Sequence, residues 1–174
     1  MKIAHVISSC SPGGAEIFVK SLVKGLNVQG IEVELWIISK ISDISPNDNK
    51  RLLFEKNFIR EIEKIGIRVK FVGKRPKKDW RKTKKQLRNF YNDFGPNVVH
   101  AHLESVTFHV CRALAGRVPI VQTIHNTVIS HQFVQRVFLV KKVSKFVAIS
   151  KKVEEIISST LNIGSDKICT IYRD

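Results

Sequence analysis

Two kinds of residue in this sequence have the type and spacing to do chemistry. One is a glycine pair where an apolar run gives way to a helical pattern; the other is a set of histidines at the ends of apolar runs. The stretch "SSCSPGGAE", Ser8 to Glu16, follows Ile3-Ala4-His5-Val6-Ile7 and precedes Ile17-Phe18-Val19. Adjacent glycines at a helix start let backbone N–H groups approach a phosphate, whose charge the helix dipole favours. Gly13 and Gly14 equally suit a plain strand-to-helix turn, and spacing does not separate the two readings. The dinucleotide pattern GxGxxG and the Walker pattern are missing, and the next apolar run ends in Ile38-Ser39-Lys40 with no acid for a ribose. A nicotinamide site and a P-loop are thereby excluded.

His100 and His102 stand at i and i+2 in "VVHAH", on one side of a strand. Such a pair can ligate a metal, but a site needs further ligands. Only Glu104 is near, with no HExxH and no cysteine cluster, so no metal is expected. Packing, hydrogen bonding and contact with a substrate remain open for both. In "QTIHN", His125 and Asn126 end another buried run, where a neutral imidazole can donate a hydrogen bond or take a proton. A purely structural histidine fits that place as well. Ser150 in "AISKKVEE" precedes a helical pattern with Glu154 and Glu155 in its first turn, which is the chemistry of an N-cap.

The elements that would position these residues alternate. Strands are expected at 2–9, 32–38, 67–72, 98–102, 119–125, 145–149 and 168–172. Helices are expected at 15–26, 50–65, 79–94, 103–115, 130–142 and 151–161, with a polar loop at 40–50. In the second helix Leu52, Leu53, Ile59 and Ile62 should face the core. In the third, Trp80, Leu87, Phe90 and Phe94 should form the core stripe. Seven strands alternating with helices imply an α/β fold, a doubly wound and mainly parallel sheet covered on both faces. Ligands then sit outside the carboxyl ends of the strands, which is where the glycine pair, His102, His125 and Ser150 fall.

The chain has 174 residues and a hydrophobic fraction of 43%, enough for one domain with a core. No run of 18 apolar residues is present, and the N-terminus lacks a secretory pattern, which points to the cytosol. Cys10, Cys111 and Cys169 are too far apart in sequence for a zinc site or a disulfide framework and read as buried thiols, with Cys10 on a loop. Thirty Lys and Arg against fifteen Asp and Glu give a net charge of +15, a surface that attracts polyanions. From Arg68 to Arg88 there are eleven basic residues and one acid. Lys77, Lys78, Arg81, Lys82, Lys84, Lys85 and Arg88 suit anionic lipid headgroups. Nucleic acid is the weaker alternative, because no helix-turn-helix, RRM or KH pattern accompanies the charge.

"MKIAHVISSCSPGGAEIFVKSLVKGLNVQGIEVELW", "NVVHAHLES", "PIVQTIHN" and "KFVAISKKVEE", in this order and spacing, resemble the N-terminal domain of family 4 glycosyltransferases. Those enzymes have the GT-B fold, two Rossmann-like domains facing across a cleft. The resemblance implies that residues 1–174 are one acceptor-side domain and that the donor-binding domain is absent. "TIYRD" stands where the family turns into its second half, and Arg173-Asp174 departs from the usual Asn-Gly turn. It further implies a retaining, metal-independent transfer from a nucleotide-sugar co-substrate, with no cofactor, in surface polysaccharide or glycolipid assembly. His125 would be the catalytic cleft histidine, and Gly13, Gly14, His102, Asn126 and Ser150 would line the substrate side. The expected partners are the nucleotide sugar, a glycan or lipid-linked acceptor, the inner face of an anionic membrane, and a donor domain in cis or in trans. The isolated chain should be inactive. A non-catalytic binding module, or one subunit of a split enzyme, is the alternative, and a basic nucleic-acid-binding protein stands behind it.

Overall fold

The computed structural model describes residues 1–125, 129 and 132–171. Strand β1 (Lys2–Ile7) leads to helix α1 (Gly14–Val28), which buries Val19 and Val23 and stops before Gly30 at φ 75°. Strand β2 (Glu32–Ile37) follows, then a short helix α2 (Ile41–Ile44) inside the segment read as loop. Helix α3 (Asn49–Glu63) begins at Asp48, whose carboxylate accepts from the Arg51 N–H at 3.1 Å. Strand β3 (Arg68–Phe71) precedes α4 (Trp80–Phe94), which ends at Gly95 in the left-handed region, its N–H on the Tyr91 carbonyl. Then come β4 (Val98–His102), α5 (Glu104–Leu114), β5 (Ile120–Ile124) and α6 (Gln132–Val134). The last runs directly into a π-helical turn, Gln135–Leu139. Strand β6 (Lys145–Ala148), α7 (Lys151–Leu161), a 3₁₀ turn (Ser165–Lys167) and β7 (Ile168–Thr170) complete the described elements.

All seven strands pair in parallel in the order β3-β2-β1-β4-β5-β6-β7. The order reverses between β1 and β4, so the crevice at their carboxyl ends is the natural ligand site of such a sheet. One core cluster joins Trp36, Leu87, Val110, Phe146 and Ile157, packing α4, α5 and α7 onto one face. A second joins Leu35, Val19, Val23, Phe58 and Ile62, packing α1 and α3 onto the other. The doubly wound expectation is met on both faces.

Three sequence expectations are corrected. In α3 the inward stripe is Glu55, Phe58 and Ile62, and Leu53 is 59% exposed because it lies across the helix from that stripe. In α4 the stripe is Thr83, Leu87 and Phe94 with Phe90 packed against the same core as expected, but Trp80 is 42% exposed at the helix start. Thr83 is tolerated inside because its hydroxyl donates to the Asp79 carbonyl at 2.9 Å. Cys10 and Cys111 are buried but Cys169 is exposed, since β7 is an edge strand.

Candidate functional site

Parallel register carries the histidines together. His5 pairs with His100 across β1 and β4, and His100 and His102 share one face of β4. The His5 Nδ1 lies 3.1 Å from His102 Nε2, and His102 Nδ1 lies 3.4 Å from His125 Nε2, just beyond β5. His100 Nε2 lies 2.7 Å from the Thr123 hydroxyl. A neutral imidazole has one N–H and one acceptor nitrogen, so His102 in the middle must donate to one neighbour and accept from the other. The chain therefore has two settings. In one, protons point towards His5 and His125 carries its hydrogen on Nε2; in the other they point towards His125, which carries it on Nδ1.

Burial keeps this cluster neutral. It lowers His5 and His102 well below the usual 6.5, with nearby histidine charge adding in the same direction. Burial likewise lowers His100 to about 4, with His125 contributing. His5, His100 and His102 offer nitrogens within 4.8 Å of one another, a grouping with the composition to hold an ion. One nitrogen of each is already engaged, by the 3.1 Å contact between His5 and His102 and by Thr123 at His100, while the buried His5 Nε2 has no partner among the described residues. His5 escaped notice in the sequence as a partner because only β1–β4 pairing brings it beside His100.

At the other wall, Gly13 caps α1 in extended backbone, φ −171°, which any residue can adopt. What a side chain there would meet is the Glu16 carboxylate, 2.6 Å from an added Cβ. Burial raises the Glu16 pKa, against backbone hydrogen bonds at Glu16 and Ser11 that lower it. An acidic side chain thus lies over the glycine at the head of α1, where a phosphate cradle was one of two readings. Gly14 opens the helix. Phe18, one turn on, packs edge-on against His125 at 5.3 Å between ring centres, tying α1 to the histidine chain.

Ser150 is the N-cap of α7, its hydroxyl accepting from the Val153 N–H at 3.3 Å. Asn126 lies outside the described residues. Between β4 and α5, Leu103 has φ 78° and ψ 151°, a region that is essentially glycine's alone. Such strain is held only where surrounding structure enforces it, and here it sets the direction in which Glu104 leaves the strand. Neither Leu103 nor Glu104 carried a sequence signal for this.

The basic residues of α4 and the turn before it divide. Lys77, Lys78, Arg81, Lys82 and Lys85 are exposed, and Lys84 and Arg88 are half-buried. Arg81, Lys84, Lys85 and Arg88 line one shallow surface groove with Asn89 and Asn92. Arg88 also has structural work, because its Nε donates to the Ala113 carbonyl at 3.1 Å and ties α4 to α5.

Residues 12–173 match the family description Glycosyltransferase Family 4. The chain belongs to that family. No curated protein matches its sequence. Among solved structures it is similar to a glycosyltransferase from Rickettsia africae ESF-5, with TM-score 0.73 and 17% identity over 99% of this chain and 42% of that one. It is similar to Anabaena HepE in complex with UDP and glucose, TM-score 0.72 and 16% identity, covering 99% and 44%. It is also similar to the lipopolysaccharide outer core galactosyltransferase WaaB, TM-score 0.72 and 15% identity, covering 99% and 46%. The family 4 chain thus spans less than half the length of these structures, and its fold is the Rossmann-like half of a GT-B glycosyltransferase. Among the described residues no helix is long and apolar enough to cross a membrane.

Proposed function

We propose that this chain is the acceptor-side half of a retaining, metal-independent glycosyltransferase that uses a nucleotide-sugar donor in polysaccharide or glycolipid assembly at a membrane. The observation that carries the reading is the family match together with a histidine chain that ends at His125, at the carboxyl edge beside the switch point. HepE holds UDP and glucose, which supports a nucleotide-sugar donor here. In the proposed reaction the acceptor hydroxyl oxygen bonds to the sugar's anomeric carbon on the face that the phosphate leaves. The anomeric carbon–phosphate oxygen bond breaks, and the acceptor proton passes to the departing phosphate. His125 orients and stabilises the transferring sugar, with its ring fixed by His102 and Phe18. Gly13 and Gly14 form a wall whose own residues carry no side chain, with the Glu16 carboxylate over Gly13, and His102, Asn126 and Ser150 line the acceptor side.

The donor site belongs to a second domain, in cis or supplied by a separate subunit, so residues 1–174 alone carry no turnover in this reading. The exposed cations Lys77, Lys78, Arg81, Lys82 and Lys85, with the half-buried Lys84 and Arg88 beside them, dock the domain on anionic lipid at the cytoplasmic face, close to a lipid-linked acceptor. The test compares this chain with the complete reading frame that contains it, using labelled UDP-, GDP- and dTDP-sugars and lipid or glycan acceptors. Transfer by the complete protein and none by the 174-residue chain is expected. Robust turnover by the chain alone overturns the division of the site, and no transfer by either overturns the transferase reading.

A further inference from the structure

Three helix starts meet at the carboxyl edge of the sheet, and they enclose a cavity of about 270 Å³. Trp80 opens α4, Glu104 and Ser105 open α5, and Val134 and Gln135 stand where α6 passes into the π-helical turn. Phe108 and Leu139 complete the apolar wall. In the π turn the Val140 N–H reaches back five residues to the Gln135 carbonyl at 2.9 Å, and Gln135 and Leu139 are both fully buried.

Inside this largely apolar space sits a carboxylate. Glu104 is only 9% exposed, and it has no hydrogen bond and no ion pair among the described residues. A carboxylate accepts only, so a ligand in this cavity can supply the hydrogen-bond donors it would take. The strained Leu103 aims it there, and strain of that kind persists at sites that use it. Beside the cavity, Lys74 and Arg112 lie over the Trp80 ring at 5.2 and 5.5 Å, and neither has an acidic partner among the described residues. His109 packs against the same ring at 4.9 Å between centres and is held neutral by burial, with Lys74 and Arg112 contributing, its pKa lowered to about 4.

The ligand class follows from these walls. A phosphate placed inside would face the Glu104 carboxylate. A purely apolar group would leave that carboxylate unpaired. A hydroxylated ring offers apolar C–H faces to Trp80 and Phe108 and hydroxyl donors to Glu104, with Ser105 as a further polar partner. A volume near the lower end of ligand pockets admits one ring and not a chain. We propose that this cavity is an acceptor-sugar subsite that receives one pyranose ring, with Glu104 as its hydroxyl-reading residue. The inference deepens the acceptor-side reading above and rests on it.

The test uses the 174-residue chain and a panel of methyl pyranosides of glucose, galactose, mannose and N-acetylglucosamine, with octyl phosphate as the amphiphile control. Trp80 is the reporter, because the other tryptophan, Trp36, is fully buried. At least one glycoside should give a saturable change in emission, absent in Trp80→Phe. Glu104→Leu should weaken binding at least tenfold, and Glu104→Gln, which keeps an acceptor oxygen, should weaken it less. Methyl NMR shifts at Leu139 should follow the same titration. No saturation with any glycoside, equal binding by Glu104→Leu, or preference for octyl phosphate would overturn the subsite. Sugar transfer by the complete protein without glycoside binding here defeats only this inference. Binding here without transfer defeats only the transferase reading.

Discussion

Acidification should unfold this domain through its buried histidines, and His100 gives the magnitude. Its pKa falls from the usual 6.5 to about 4 because burial disfavours the imidazolium. The unfolded chain takes up that proton near pH 6.5, and the native state refuses it until about pH 4. Between those values the unfolded state binds more protons, so stability rises with pH. The contribution is complete above 6.5 and is lost as pH falls towards 4. For His100 alone the loss is about 2 kcal/mol by pH 5 and about 3 kcal/mol by pH 4. His5 and His102 shift in the same direction, so they add to a loss set against a total stability of about 5–15 kcal/mol. Glu16 and Glu55 oppose the trend, because burial raises them and their native protons are retained. The assay is urea unfolding at pH 7.5, 6.5, 5.5 and 5.0, followed by tryptophan emission in 0.5 M salt to screen the +15 net charge. His100→Gln keeps a side-chain nitrogen for Thr123 and cannot titrate. It should lose about 2 kcal/mol less than the parent between pH 7.5 and 5.0. A parent curve flat within about 0.5 kcal/mol, or equal losses in both proteins, would refute a neutral buried cluster.

Four further outcomes are expected. Gly13→Ala should cost under about 1 kcal/mol in urea, since its φ suits alanine and the Glu16 carboxylate can swing aside; in the complete protein it should still depress transfer if the glycine is a cleft wall. Ser150→Ala should cost about 1 kcal/mol through the lost cap, read from the same unfolding curves. Glu34→Ala should cost about 3 kcal/mol, because Glu34 accepts from the buried Trp36 Nε1 at 2.7 Å and pairs with Arg68 at 2.6 Å; Glu34→Gln keeps the first contact and should cost clearly less. Replacing Arg81, Lys82 and Lys85 by Gln should lower partition onto phosphatidylserine vesicles about a hundredfold at low salt, with flotation as the measurement; unchanged partition would end the docking role of α4.

Periodicity made most of the fold legible. Strand β4 and helix α7 fall within one residue of the sequence expectation, because each follows a strong signal: "GPN" before one, Ser150 before the other. The π turn after β5 was not legible, since its apolar spacing also reads as an ordinary helix over 130–142. Trp80 was misassigned for a related reason. Leu87 and Phe94 fix the stripe of α4, but Thr83 enters it by bonding its own helix, and the tryptophan is released to α5.

The same distinction separates the two halves of the candidate site. His102, His125 and Ser150 were legible because each follows an apolar run, and a parallel sheet puts run ends on one edge. What they touch was not legible, because contact depends on register. Only the pairing of β1 with β4 sets His5 beside His100, and only the 103–104 joint turns Glu104 inward. Both hidden features break a local rule: three imidazoles fill the middle of a sheet, and a leucine adopts glycine's backbone. Sequences fold consistently across levels except where something else is demanded of them. Both exceptions border β4: His100 and His102 stand on it beside His5 of β1, and Leu103 follows its last residue. If the strain served packing alone, Leu103→Gly should relieve about 1–3 kcal/mol of it at no cost to sugar binding. The expected result is a more stable domain that binds methyl pyranosides at least tenfold more weakly, because Glu104 is no longer held in place. Equal or tighter binding by the glycine variant would show that the strain serves packing alone.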